Sequence, residues 1–101
     1  MPEPFVVIVP HQLGRRAARD KLERGLDRIH SEVAAFATVV ESEWIGDRFT
    51  FLIRSMGQNI GGRMDVLEDA VRVEVDLPWI LTLVAEKIVT RIRQTGARLL
   101  R

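Results

Sequence analysis

Residues 60–77 read IGGRMDVLEDAVRVEVDL and decide the fold, because they predict a β-hairpin whose two faces agree on one register. With Glu68-Asp69 as a two-residue loop, apolar residues such as Val66 and Val71 face each other on one side. On the other side the same register places opposite charges together, Arg63 with Glu74 and Asp65 with Arg72. A slip by one residue would invert both faces, so the hairpin is strongly specified.

A second hairpin is predicted over residues 38–54, around the Gly46-Asp47 pair. A glycine in the first position suits a type II′ turn, the turn that matches the twist of paired strands. The predicted core face has three pairs: Trp44 with Phe49, Ser42 with Phe51, and Val40 with Ile53.

Two amphipathic helices flank these hairpins. From residue 15 to about residue 37, apolar residues recur every three or four positions, which is typical of one helix face. Gly25 lies inside this helix and predicts a bend or the close approach of another backbone. After Pro78 the chain is predicted to be helical, with Asp76 as the capping residue. The stripe of the first helix consists of Leu22, Leu26, Ile29, Val33 and Phe36.

Residues 5–9 form an apolar run before Pro10, which predicts a short strand that is buried on both faces or lies at a sheet edge. The order is therefore β-α-β-β-β-β-α, in a single domain over residues 1–101. We predict an α+β fold of two layers, in which a curved antiparallel sheet packs on a long C-terminal helix. The nearest known arrangement is the helix grip, and a flat sheet with both helices on one face is the alternative.

The composition is that of an ordinary globular domain, with 101 residues, 47% of them hydrophobic, and a net charge of +1. No apolar run reaches the roughly 18 residues that a membrane span needs. The chain has no cysteine, which excludes disulfides and thiolate zinc sites. The first residues lack the basic region of a secretory signal, so we expect a cytoplasmic protein.

The sequence offers little catalytic chemistry. His11, between the first strand and the first helix, is the candidate polar site, but no partner for a general base is identifiable. We expect it to bond a strand-end carbonyl or the start of the helix. The carboxylate pairs fall on strand faces and a turn, and no metal-ligand spacing is present. We therefore expect no enzymatic activity, no cofactor and no metal. The basic helices lack interleaved aromatic residues, which argues against nucleic-acid binding.

Three segments carry a resemblance to a known family: PHQLG at residues 10–14, IGGRMDV at 60–66 and VEVDLPW at 73–79. Together with the turn at Gly46-Asp47, they make the chain similar to the polyhydroxyalkanoic acid system family of small bacterial proteins. The resemblance covers nearly the whole chain. It implies a link to polyhydroxyalkanoate storage granules, with the granule surface or granule proteins as partners, and it implies no reaction or catalytic residue.

The apolar segment WILTLV at residues 79–84 is the most informative for function. We expect the sheet to enclose this start of the last helix as core. Alternatively it forms a patch for a partner, a second copy of the chain or a granule surface. A third alternative is a cavity between sheet and helix that takes an apolar ligand. The candidate surface or cavity residues are Trp44, Phe49, Phe51, Met64, Trp79, Ile80 and Leu83.

Two functions follow as hypotheses. The first is a non-enzymatic binding protein at storage granules. The second is a helix-grip carrier of a small hydrophobic acid or acyl group. A carrier requires an enclosed cavity of a few hundred cubic ångströms, whereas a granule-binding protein requires an exposed apolar patch.

Overall fold

The computed structural model describes residues 4–34 and 37–100, and these form one five-stranded antiparallel sheet with two α-helices. The strands lie in the order β1-β5-β4-β3-β2, so the predicted four-stranded meander is present and the first strand joins its far edge. The predicted α+β order is confirmed. The elements are β1 (Phe5–Pro10), α1 (Arg15–Val33), β2 (Thr38–Ile45), β3 (Arg48–Ser55), β4 (Gln58–Val66), β5 (Ala70–Asp76), a 3₁₀ helix (Trp79–Val84) and α2 (Ala85–Leu99).

The β4–β5 hairpin has the predicted register, with Val66 opposite Val71 and Arg63 opposite Glu74. The Arg63 Nη2 atom lies 2.7 Å from Glu74 Oε2, which confirms one of the two predicted charge pairs. In the other pair Arg72 does lie opposite Asp65, as predicted, but its guanidinium contacts Glu74. Asp65 is bound instead by Arg48 of β3, with 2.7 Å between Arg48 Nε and Asp65 Oδ1. Arg48 also lies directly opposite Asp65 in the sheet, so two strands compete for this carboxylate and β3 prevails.

The β2–β3 hairpin follows the prediction from its turn as far as Ser42, which lies opposite Phe51. Trp44 lies opposite Phe49, and Gly46 has a φ of 62°, as a type II′ turn requires. Farther along, the register shifts between Val39 and Glu41. Val39, rather than the predicted Val40, therefore pairs with Ile53. The irregularity turns Val40 outward, where it is exposed.

The connection between β3 and β4 is a two-residue turn. Ser55 pairs with Gln58, which leaves Met56 and Gly57 as the loop. Both have positive φ, 52° at Met56 and 74° at Gly57, the pattern of a type I′ turn. The connection between these two strands is thus tight.

Strand β1 lies at the sheet edge, which decides between the two predictions for residues 5–9. Val7 and Val9 are buried on the helix side, whereas Val6 and Ile8 are exposed on the opposite side. The backbone N–H of His11 continues the pairing by donating to Asp69 O at 3.0 Å. Pro10, the last residue of this edge strand, pairs with Ala70.

Both helices cover the same face of the sheet. A Cβ at Gly25 of α1 would lie 2.5 Å from Leu99 Cδ2, so a side chain of α2, not a backbone, makes the close approach. The end of α2 packs on β1, where a Cβ at Gly96 would lie 3.0 Å from Val9 Cγ2. Leu22 of α1 and Leu100 are buried in the same core. Phe36 and the side chain of Val33, which the sequence placed on the α1 stripe, lie outside the described residues.

The start of the C-terminal helical region differs from the prediction. Residues Trp79–Val84 form a 3₁₀ helix, and its capping residue is Pro78, without a side-chain hydrogen bond. Asp76 does not cap it, because Arg63 Nη1 donates to Asp76 Oδ2 at 3.2 Å. The sheet was predicted to enclose this start as core. The 3₁₀ helix has no buried residue, whereas Leu100, at the far end of α2, is buried.

Candidate functional site: an apolar cavity and an exposed segment beside it

A cavity of about 880 Å³, partly open to solvent, lies between the sheet and the two helices. Trp44, Phe49 and Met64 stand in one row across three strands, because each lies opposite the next in the register. These alternating positions all point to the helix side, so the hairpin registers themselves create the apolar floor. The helices supply the other walls, mainly through Leu26, Ile29, Ile88 and Ile92.

The aromatic residues at one end of the cavity pack against each other. The ring centroids of Trp44 and Phe49 are 5.2 Å apart, and those of Phe49 and Phe51 are 6.3 Å apart. The guanidinium of Arg19 lies 4.3 Å from the centroid of Trp44. Its Nε also donates to Gly46 O at 3.1 Å. This one arginine of α1 therefore holds the helix to the β2–β3 hairpin and fixes that end of the cavity.

Charged side chains stand among the residues that line the cavity. Lys87 and Arg91 are one turn apart on α2, and both are exposed. Within residues 4–34 and 37–100, neither makes a hydrogen bond or an ion pair. On α1, Glu23 is engaged by Arg19, with 2.9 Å between Arg19 Nη1 and Glu23 Oε2. The remaining titratable lining residues are Asp27 and His30 of α1 and Glu43 of β2.

The 3₁₀ helix beside the cavity has two faces. Leu81 and Val84 line the cavity, whereas Trp79 and Leu83 project outward with 78% and 90% of their surface exposed. Ile80 is also exposed. The expectation that this segment is core is therefore wrong for three of its large side chains. Ile80 and Leu83 are three apart and share one face of the 3₁₀ helix, and Trp79 is exposed on the face next to it. Large apolar side chains exposed in this way form a patch of the kind that marks a contact surface.

His11 has a structural environment. Its ring is buried, its Nδ1 atom accepts from the backbone N–H of Leu13 at 3.2 Å, and its Nε2 atom lies 3.2 Å from Leu67 O. Because Nδ1 accepts, Nε2 carries the proton and donates to that carbonyl. Both ring nitrogens are thus used to join the start of α1 to the tip of the β4–β5 hairpin. No carboxylate within the described residues contacts the ring.

The seven candidate residues separate into two groups. Trp44, Phe49, Phe51 and Met64 come together in the cavity, whereas Trp79, Ile80 and Leu83 do not line it. Sequence reasoning missed the contribution of α2, in which Ile88 and Ile92 face the cavity. The available signal was the spacing of four between these residues, with a basic residue immediately before each.

The described residues contain neither a cluster that could bind a metal ion nor a helix that could span a membrane. Among residues 4–34 and 37–100, no three His, Asp or Glu side chains stand close enough to hold a metal ion. None of the helices in that part of the chain has the length and apolar character to cross a membrane.

The fold and the site define a class: a small α+β protein with an apolar cavity under its helices and an exposed apolar segment beside it. The family model of the polyhydroxyalkanoic acid system protein matches residues 6–100, and the chain belongs to that family. The resemblance carried by the three short segments is thereby confirmed. No curated protein and no solved structure matches the chain.

Proposed function

We propose that this chain is a non-enzymatic binding protein of the polyhydroxyalkanoate system that attaches to the granule surface through its 3₁₀ helix. One observation carries the proposal: Trp79 and Leu83 project into solvent from the same short helix, with Ile80 also exposed between them. Membership of the family supplies the granule as the candidate surface.

The physical chemistry of the patch supports attachment to an aliphatic polyester. Burying one large apolar side chain stabilises an association by about 1.5–3 kcal/mol before the entropic costs are counted. Trp79 combines an apolar ring with an N–H that can remain at a polar boundary, which is why tryptophan is common at such interfaces. The 3₁₀ helix carries no charged side chain to oppose this contact.

The proposal of a non-enzymatic role rests on the hydrogen bonds that the His11 ring makes. Both of its ring nitrogens are committed to backbone groups, which leaves neither of them to move a proton. We expect the purified protein to neither form nor cleave the polyester or its monomers. Measurable turnover that survives repeated purification and is lost in a His11 variant would contradict this expectation.

Co-sedimentation with isolated granules tests the attachment. We expect the native chain to sediment with the granules and the double variant W79S/L83S to stay in the supernatant. The matched control I45S/M56S removes two exposed apolar side chains elsewhere, at the end of β2 and in the β3–β4 turn, and should still sediment. Equal loss in both variants, or retention of W79S/L83S, would contradict the proposal. A native dimer that W79S/L83S converts to a monomer without loss of granule binding would assign the patch to self-association instead.

The cavity favours a second candidate function, a carrier of a small hydrophobic ligand. Its volume of about 880 Å³ falls within the roughly 300–1,000 Å³ of ordinary ligand sites. Its lining is mostly apolar, which suits an apolar ligand. Uptake of a soluble apolar probe by the granule-free protein tests this candidate separately from granule attachment.

A further inference from the structure

We propose that the cavity binds a single-chain amphiphilic carboxylate, whose alkyl tail lies along the sheet and whose carboxylate lies between Lys87 and Arg91. The inference rests on the carrier candidate described above and adds the form of the ligand, a single chain with a free carboxylate, and the position of its head group. It is independent of whether the 3₁₀ helix attaches to granules.

The floor and wall of the cavity suit an unbranched apolar tail. Phe49 and Met64 are neighbours across β3 and β4. Ile88 of α2 also lines the cavity. A methionine adapts its shape to an irregular or variable occupant. No ring of polar groups interrupts this surface, because the sheet contributes only Ser42, Glu43 and Ser55 as polar lining.

The position of the head group follows from α2. Ile88 and Ile92 line the cavity and are half buried, whereas Lys87 and Arg91, one position earlier in each turn, are exposed. Residues four apart stand side by side on a helix, so both cations can reach one anion. Their apolar stems can follow the tail while the charged ends remain in water. Lys87 and Arg91 therefore form a cationic rim for the anionic head, above an apolar interior for the tail.

The acidic lining residues do not form a matching cation site. Glu23 is already bound to Arg19. Asp27 stands one turn after Glu23 on α1, so Asp27 alone of these two carboxylates is left without that arginine, and Glu43 lies on another element, β2. The lining therefore favours a carboxylate over an ammonium head on an equal tail. His30 on α1 is a further potential donor to an anion.

Tryptophan fluorescence of the full chain tests the assignment. Trp79→Phe leaves Trp44, a lining residue, as the single reporter. The probes are dodecanoate, dodecanol and dodecylammonium, each below its micelle concentration. We expect saturable binding of dodecanoate, tighter than that of the other two. Shortening the tail should weaken binding about fourfold per methylene, as transfer of each CH₂ from water predicts.

Two double variants locate the head group. In the Trp79→Phe background, K87Q/R91Q should bind dodecanoate about tenfold or more weakly, as expected on loss of charge-assisted hydrogen bonds. The control R16Q/R93Q removes the same charge at residues that do not line the cavity and should change binding less than twofold. No saturable response, equal binding of the three probes, or equal weakening in both variants would overturn the proposal. Because no granules are present, granule attachment can fail or succeed without altering this result.

Discussion

The ring of Phe51 lies directly against the backbone of Gly62, in the space that a side chain at position 62 would occupy. The two residues are opposite each other in β3 and β4. A Cβ at position 62 would collide with Phe51 Cζ and would stand 2.7 Å from the carbonyl oxygen of Glu74. The aromatic residue therefore covers the glycine and contributes to the cavity end of the sheet.

We predict that Gly62→Ala destabilises the fold by about 1–3 kcal/mol, because the Glu74 carbonyl is part of the sheet and cannot move aside. The neighbouring Gly61 provides the control. A Cβ there would meet nothing closer than 3.8 Å, so Gly61→Ala should leave the free energy of unfolding nearly unchanged. Urea denaturation of the two variants measures the difference, and equal stabilities would contradict the packing described.

The ion pairs on the open face make a second prediction. Double-mutant cycles should give a coupling free energy of about 0.2–1 kcal/mol for Arg48 with Asp65. The cycle for Arg72 with Asp65 should give nearly zero, because Arg72 contacts Glu74 instead. Added salt should reduce the first coupling. A larger coupling for Arg72 than for Arg48 would mean that the simple hairpin pairing is correct after all.

This ion pair also shows what the sequence could and could not predict. The β4–β5 register was predictable because apolar and charged residues agreed on it from two strands alone. The partner of Asp65 was not, because the competing Arg48 comes from a third strand whose register was inferred separately. The irregularity after Val39 gave no signal either, because residues 39 and 40 are both valine and either one fits the position opposite Ile53.

The candidate site was predictable to a similar extent. Strand alternation predicted that four residues share one face of the sheet, and all four line the cavity: Trp44, Phe49, Phe51 and Met64. The exposure of Trp79 and Leu83 did not follow, because an apolar run has the same composition whether it is covered or open. The cavity was one of three alternatives for this region, and the sequence could not decide among them, since the space depends on where α1 and α2 cross the sheet and not on their periodicity.

His11 should be important for stability. His11→Ala removes the acceptor for the Leu13 N–H and the donor to the Leu67 carbonyl, so we expect a loss of about 1–3 kcal/mol in the free energy of unfolding. His30 is exposed and serves as the control. His30→Ala should leave the thermal midpoint nearly unchanged, and a comparable fall in both variants would exclude a special structural role for His11.

The same substitution at two leucines should separate core from surface. Leu22 is 2% exposed and Leu83 is 90% exposed. Leu22→Ala should destabilise the protein by about 2–5 kcal/mol through the lost burial and the space left behind. Leu83→Ala should change stability by no more than about 0.5 kcal/mol. Thermal or urea unfolding measures both, and a large loss at Leu83 would place the 3₁₀ helix in a buried environment.

The central claim is that the 3₁₀ helix is exposed in the free protein and contacts the granule surface when the protein binds. The fluorescence of the variant Trp44→Phe tests it most directly, because Trp79 is then the single tryptophan. We predict emission typical of an indole in water for the free protein, and a blue shift when polyhydroxyalkanoate granules are added. Emission typical of a buried indole without granules, or granule binding that leaves the emission unchanged, would contradict the account.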